Sequence, residues 1–214
     1  MPRKEKILVF SAHSDDFVIG AGGTIADYTN KRKKVLALVF SYGELSHPWL
    51  KPKVVQKMRS KETFGACKLL KCKAKFFDLR EGKFEEDFRE KELKTKFIQL
   101  IEKYKPTKIF THSHEDPHPD HKAVHQITLE LYGELKEKPE LYIYSIWNPV
   151  SFKTQYPSLY VNISKTFSTK LKALWRFKSQ KVHLLYPVFL LLYKAVKDGL
   201  KMRAWFGEHF FRIK

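Results

Sequence analysis

Ile7-Leu8-Val9-Phe10-Ser11-Ala12-His13-Ser14-Asp15-Asp16, with Gly20-Ala21-Gly22-Gly23-Thr24 close behind, is the stretch from which the fold reads. An unbroken apolar run gives way to a histidine, two adjacent carboxylates and a glycine-rich segment. Continuous apolar runs, rather than alternating ones, suit strands buried on both faces of a parallel sheet. The same pattern recurs at residues 35–40, Val-Leu-Ala-Leu-Val-Phe. Working outward, a strand is expected at residues 6–11. A glycine turn then feeds a helix over about 20–30, and a strand follows at 35–40. A helix over 53–70 carries Val54, Met58, Phe64 and Leu69, and a strand at 74–79 comes next. Phe88, Leu93, Phe97 and Ile101 lie near helical spacing within 86–104, and Pro106 ends that helix. A strand at 108–112, a helix over about 119–136 and a strand at 141–147 complete the alternation. Such alternation defines an α/β chain, an open, mostly parallel sheet with helices on both faces. Ligands of such sheets bind beyond the carboxyl ends of the strands, at a switch in strand order.

A second cluster, His118-Pro119-Asp120-His121, follows the fourth strand, and His112, His114, Glu115 and Asp116 crowd the same stretch. A catalytic zinc takes three protein ligands from His, Asp, Glu or Cys and keeps a position for water. His13 and Asp16 share one tight loop, and His121 reaches them only through tertiary structure. One carboxylate of the Asp15-Asp16 pair can bind the metal while its neighbour acts as general base. A metal polarises a carbonyl and lowers the pKa of its water to about 7, which suffices for amide or ester hydrolysis. The plainer alternative is that the adjacent aspartates cap the following helix. The glycines do not form a dinucleotide loop, because Gly20-Ala21-Gly22-Gly23 lacks the Gly-x-Gly-x-x-Gly spacing.

At these residues the chain resembles the PIG-L/LmbE-like N-deacetylases, metal-dependent enzymes that usually use zinc. The first family motif stands as Ala12-His13-Ser14-Asp15-Asp16-Phe17 and then Gly20-Ala-Gly22-Gly23-Thr24; the second stands as His118-Pro119-Asp120-His121. Gly43-Glu44, Arg59 with Glu62, and Ser179-Gln180, which closes a C-terminal helix expected to begin near Ser164, are weaker matches, so the resemblance spans roughly residues 6 to 180. It implies a Rossmann-like single domain over 1–180 and metal ligation by His13, Asp16 and His121. It implies Asp15 as general base, His118 stabilising the oxyanion or protonating the leaving amine, Asp120 orienting His118, and Arg59 reaching the substrate. Ser14 replaces the usual proline and Phe17 the usual glutamate; neither is a proposed ligand, but Phe17 can reshape the pocket wall. The implied reaction is removal of an acetyl group from an N-acetylglucosamine-type substrate, free, phosphorylated or lipid-linked. Other readings are an amidase or esterase on another acylated compound, or a metal-stabilised module binding acidic ligands. Zinc is the expected cofactor, one per chain, though iron or cobalt also suits a His-Asp-His site.

The chain has 214 residues, 43% hydrophobic and 14% aromatic, enough for one domain with a proper core. Cys67 and Cys72 suggest no disulfide framework, and no apolar run is long enough to cross a bilayer. A cytoplasmic protein is expected. The net charge of +18 favours an acidic partner or simply a solvated basic surface. Nucleic acid is not favoured, because no reading motif is present. His47-Pro48-Trp49 either lines the substrate pocket or anchors local packing. Residues 181–214 read as an apolar, basic helical extension that packs on the domain, mediates a homo-oligomer, or lies on an anionic membrane.

Overall fold

The computed structural model describes residues 5–148, 156–180 and 188–214. The strands are β1 (Lys6–Ser11), β2 (Lys34–Val39), β3 (Lys73–Phe76), β4 (Lys108–His112), β5 (Glu140–Tyr144), β6 (Ser158–Asn162) and β7 (Gly207–Arg212). The helices are α1 (Asp16–Asn30), α2 (Pro52–Leu70), α3 (Phe84–Glu90), α4 (Leu93–Tyr104), α5 (Pro119–Glu134), α6 (Phe167–Leu174) and α7 (Val188–Leu200). The strands form one sheet in the order β3-β2-β1-β4-β5-β7-β6. β3 through β5 run parallel, whereas β7 is antiparallel to both β5 and β6.

The expected α/β architecture is therefore present, and both faces of the sheet are covered. Successive side chains of a strand point to opposite faces, and β1 shows it: Ile7 and Val9 join one apolar cluster, Leu8 and Phe10 the other. The first cluster includes residues of α1, α2, α6 and α7; the second includes those of α3, α4 and α5. The strand order reverses between β1 and β4, so the loops after those strands open onto one crevice.

Four details differ from the sequence reading. The helix expected over 86–104 is two helices. Phe84 and Phe88 are four apart, as are Leu93, Phe97 and Ile101, but Phe88 and Leu93 are five apart. A continuous helix would turn the later residues off the core, and Glu92, at φ +47°, resets the phase. The glycines do not precede α1 but lie inside it, because the helix already starts at Asp16. They serve close packing: a Cβ at Gly23 would sit 2.7 Å from Ile163, and one at Gly20 would strike the Tyr144 ring. The helix expected to start near Ser164 is α6, shorter and followed by turns. Finally, residues 207–212 form a sheet strand that the aromatic, basic pattern did not announce.

β7 also brings a buried carboxylate to α1. Glu208 accepts the backbone N–H groups of Gly23 (3.0 Å) and Thr24 (2.7 Å). Lys170 Nζ donates to Glu208 (2.6 Å) and to the Ile19 carbonyl (2.7 Å). Removing one partner of a buried pair leaves an uncompensated charge and costs about 3–5 kcal/mol, whereas an apolar replacement of both is far cheaper. Glu208→Ala is accordingly expected to lower stability by about 3–5 kcal/mol. The pair Lys170→Met with Glu208→Leu should lose much less, as read from urea midpoints; a loss equal to the sum of the two single-variant losses would mean that the two groups act independently.

Candidate metal centre and active site

The short link between β1 and α1 carries His13, Ser14 and Asp15, and Asp16 opens the helix. Its geometry is held from within: the His13 N–H donates to Asp16 Oδ2 at 2.7 Å, and Ser11 Oγ donates to the His13 carbonyl at 2.7 Å. Asp15 is the residue before α1, yet its side chain caps no helix N–H. The capping alternative therefore does not account for this carboxylate, which instead lines a cavity. The other half of the site comes from β4 and α5, where His118 precedes the helix and Asp120 and His121 lie in its first turn.

Asp16 Oδ2 is the meeting point. His13 Nδ1, His112 Nε2 and His121 Nε2 each lie 3.4 Å from it. The ligand atoms of His13, Asp16 and His121 all lie within 4.8 Å of one another, so the three could hold one metal ion. Their outer contacts fit that use. His13 turns Nε2 to Asp120 (3.0 Å), and His121 turns Nδ1 to Asp116 (2.9 Å). Metal-bound imidazoles characteristically direct their second nitrogen at a carboxylate, which fixes ring orientation. His112 has a different task. Its Nε2 accepts the Ala12 N–H at 3.0 Å, so that nitrogen is unprotonated and the ring is neutral.

Charge follows geometry. Burial alone would lower the His13 pKa, but hydrogen bonds to Asp120 and Asp16 hold it well above its ordinary value. His121 is raised to about 9 against the same burial penalty, by Asp16 and Asp116. Asp16 is held well below the carboxylate range by His121, His112 and His13, again against burial. Asp15 goes the other way: burial, then the Asp16 charge, push it up to about 6. Burial and then His121 press His112 down to about 4. Burial and then His13 lower His118 as well.

The cavity at this point has a volume of about 190 Å³, and Asp15, Ser46, Glu81, His118, Trp147 and Gln180 are among its walls beside the three-residue group. His118 accepts the Asp120 backbone N–H on Nδ1 at 3.2 Å, which leaves Nε2 as the protonated nitrogen of the neutral ring. The Asp120 side chain itself binds His13 and the Gly82 N–H (2.8 Å), so Asp120 meets His118 through its backbone. Arg59 is fully buried and stands one layer back from the cavity. Its Nη2 donates to Ser46 Oγ at 2.5 Å, and Asp15 is foremost among the carboxylates that favour its charge. Glu62 accepts Ser179 N–H and Oγ–H, so those weaker sequence matches meet in space. His47 and Trp49 are not among the cavity walls. Glu81, 3.5 Å from His13, had no sequence signal beyond its place after β3. Asp116 was visible only as one acid in a histidine-rich stretch.

A fold and a site of this kind define a PIG-L-type α/β protein. The chain belongs to the PIG-L family, described as GlcNAc-PI de-N-acetylase, which it matches over residues 8–132. It is 26% identical over 186 residues to a probable N-acetyl-alpha-D-glucosaminyl L-malate deacetylase 2 from Bacillus cereus, covering 81% of this chain and 83% of that protein. Its fold is shared with N,N'-diacetylchitobiose deacetylase from Pyrococcus horikoshii (TM-score 0.82, 22% identity, 98% and 84% of the two chains). It is shared equally with 4-carboxy-2-hydroxymuconate hydratase from Pseudomonas putida (TM-score 0.84, 20% identity, 98% and 96%).

Loss of a carboxylate behind a ligating histidine typically costs 10–100-fold in metal affinity. Asp116→Asn is therefore expected to weaken zinc binding by about 10–100-fold, and His121→Ala to remove it, in competition with a chelating dye. Zinc at about 100 times its Kd should stabilise the wild type by about 2.7 kcal/mol in thermal unfolding; no shift on chelation would sink the metal assignment.

Proposed function

We propose that this protein is a metal-dependent N-deacetylase that removes the acetyl group from an N-acetylglucosamine-type substrate. The observation that carries the proposal is the Asp15 carboxylate, which caps no helix and lines the cavity beside the His13–Asp16–His121 group. A binding module has no use for such a group. His13, Asp16 and His121 would hold the metal, zinc by donor type. When bound, the metal supplies Lewis acidity to the acetamide carbonyl and acidifies water.

The chain's own residues do the rest. Asp15 takes the proton of the water that attacks the acetamide carbon. His118 presents Nε2–H to the oxyanion of the tetrahedral intermediate, and its Nδ1 is kept as an acceptor by the Asp120 N–H. The C–N bond then breaks, a proton passes to the departing nitrogen, and acetate and the free amine leave. Arg59 acts from behind, holding Ser46 at the cavity wall and offsetting the Asp15 charge. The relatives that act on acetylated amino sugars support the substrate class.

Asp15→Ala should lower acetate release from N-acetylated sugars by about 10²–10⁴-fold while zinc content stays unchanged. If zinc-loaded wild type releases no acetate from free, phosphorylated or lipid-linked members of the panel, the reading fails. The hydratase of the same fold would then direct the search to water addition across a carbon–carbon double bond.

The partner reading extends to a lipid surface. α7 buries Leu191 and Ala195 and leaves Phe189, Leu192, Tyr193, Val196 and Leu200 exposed, with Trp205 82% exposed just beyond. Lys201 and Arg203, both exposed, follow this face in the chain. No described helix is long and apolar enough to cross a membrane, so α7 would lie in the interface plane, where tryptophan anchors and lysine meets anionic headgroups. A second copy would set +18 against +18, whereas an anionic bilayer complements that charge. Wild type is expected to float with phosphatidylserine vesicles and not with phosphatidylcholine, and Phe189→Ser with Leu200→Ser to remain behind. Equal flotation of the variant, or a wild-type dimer that the substitutions dissociate, would overturn this assignment.

A further inference from the structure

A larger cavity, of about 360 Å³, lies next to the proposed active site, and Ile19 lines both. Its walls come from α1, β5 and the residues after it, β6, α6, α7 and β7. Lys170, Lys194, Lys197 and Lys201 face it, against only Asp198 and Glu208. The Lys170–Glu208 ion pair balances itself, so the remaining lysines outnumber the remaining carboxylate. Lys194 is held by the Ser145 carbonyl at 2.9 Å, and among the described residues no carboxylate lies within 4.0 Å of its Nζ.

Two groups register the positive field of these lysines. Burial and then Lys170 push Lys194 down to about 8. Burial and then Lys197 and Lys194 push His209 down to about 4. An independent observation comes from another wall residue: the amide nitrogen and oxygen of Asn148 are buried, and neither has a hydrogen-bond partner. Buried amides are normally satisfied, so this one is an unfilled donor and acceptor in a cationic cavity. The Tyr160 and His209 rings, stacked 4.2 Å apart, supply a flat wall.

We propose that this cavity binds a phosphate dianion, held by Lys194 and Lys201 with the Asn148 amide completing its hydrogen bonds. Lysine binds phosphate as a point charge, and a low-dielectric cavity lined by one sign of charge concentrates the opposite ion. The volume exceeds that of phosphate alone, which leaves room for the body of a phosphomonoester. The ligand has two sources: the phosphate of a substrate whose sugar occupies the adjoining site, or a free phosphate. The proposal does not depend on the deacetylase reading, because its readout is binding.

The experiment is calorimetric titration with inorganic phosphate of zinc-loaded wild type, Lys194→Met and Lys201→Ala, and of zinc-free His121→Ala. Saturable wild-type binding should weaken by about tenfold or more in Lys194→Met, the loss expected for one charge-assisted hydrogen bond, and persist in His121→Ala. Lys201→Ala should weaken it too, which covers the case of a misfolded Lys194 variant. Glucosamine 6-phosphate, run in parallel, separates the sources. Tighter binding than phosphate, with the gain lost in Lys194→Met, assigns the site to a phosphorylated substrate. Binding no tighter than phosphate assigns it to the free ion. No saturable phosphate binding to wild type, affinities unchanged in both lysine variants, or binding lost only in His121→Ala, overturns the proposal.

Discussion

One carboxylate oxygen, Asp16 Oδ2, organises the region where the sheet opens. It accepts the backbone N–H of His13 and lies 3.4 Å from imidazole nitrogens of His13, His112 and His121. Those groups belong to the β1–α1 link, to β4 and to α5. The oxygen therefore joins the two halves of the sheet at the point where strand order reverses. Two of the rings are held from their second nitrogen, His13 by Asp120 and His121 by Asp116, whereas the Ala12 N–H donates to the same His112 Nε2 that faces this oxygen. Proton positions follow from these contacts: His112 is neutral while His121 is cationic without a metal, and Asp15 stands apart with its pKa raised.

The parallel half of the sheet was legible in the sequence because its strands are buried on both sides and so read as continuous apolar runs. Residues 7–10 and 35–40 gave β1 and β2 almost to the residue. The antiparallel edge was not legible. β6, at Ser158–Asn162, is short and half exposed, and β7 mixes Glu208, His209 and Arg212 with its aromatics. Neither shows a clean period. Glu208 looks like a surface acid in the sequence and is buried only because Lys170 and two helix N–H groups meet it.

In the site, the motif residues could be named because their spacing is local. His13 and Asp16 share a loop, and His118 and His121 share a helix start. The supporting groups could not be ranked in the same way. Arg59 carried a family resemblance that implied substrate contact, whereas its guanidinium is sealed behind Ser46. Which carboxylate serves which histidine depends on side-chain direction at the ends of different strands, and residue spacing along the chain does not encode that. The fold alone leaves the chemistry open as well, since a deacetylase and a hydratase adopt it equally. The case for hydrolysis rests on Asp15 and His118.

The bond from Thr24 to Glu208 also has a kinetic side. It spans 184 residues of sequence, and the strand that carries Glu208 is the last of the sheet to be synthesised while lying between β5 and β6. At ribosomal rates of about 5–20 residues per second, α1 waits roughly 10–40 s for its carboxylate. During that interval the Gly23-Thr24 backbone lacks its partner, and from the time β5 is made until β7 follows, the edge of β5 is unpaired. Long-range pairings of this sort slow folding, because loop-closure entropy is lost before any contact is gained. The helix that begins at Asp16 is thus among the first elements made and among the last to be locked, and the metal loop inherits that order of assembly.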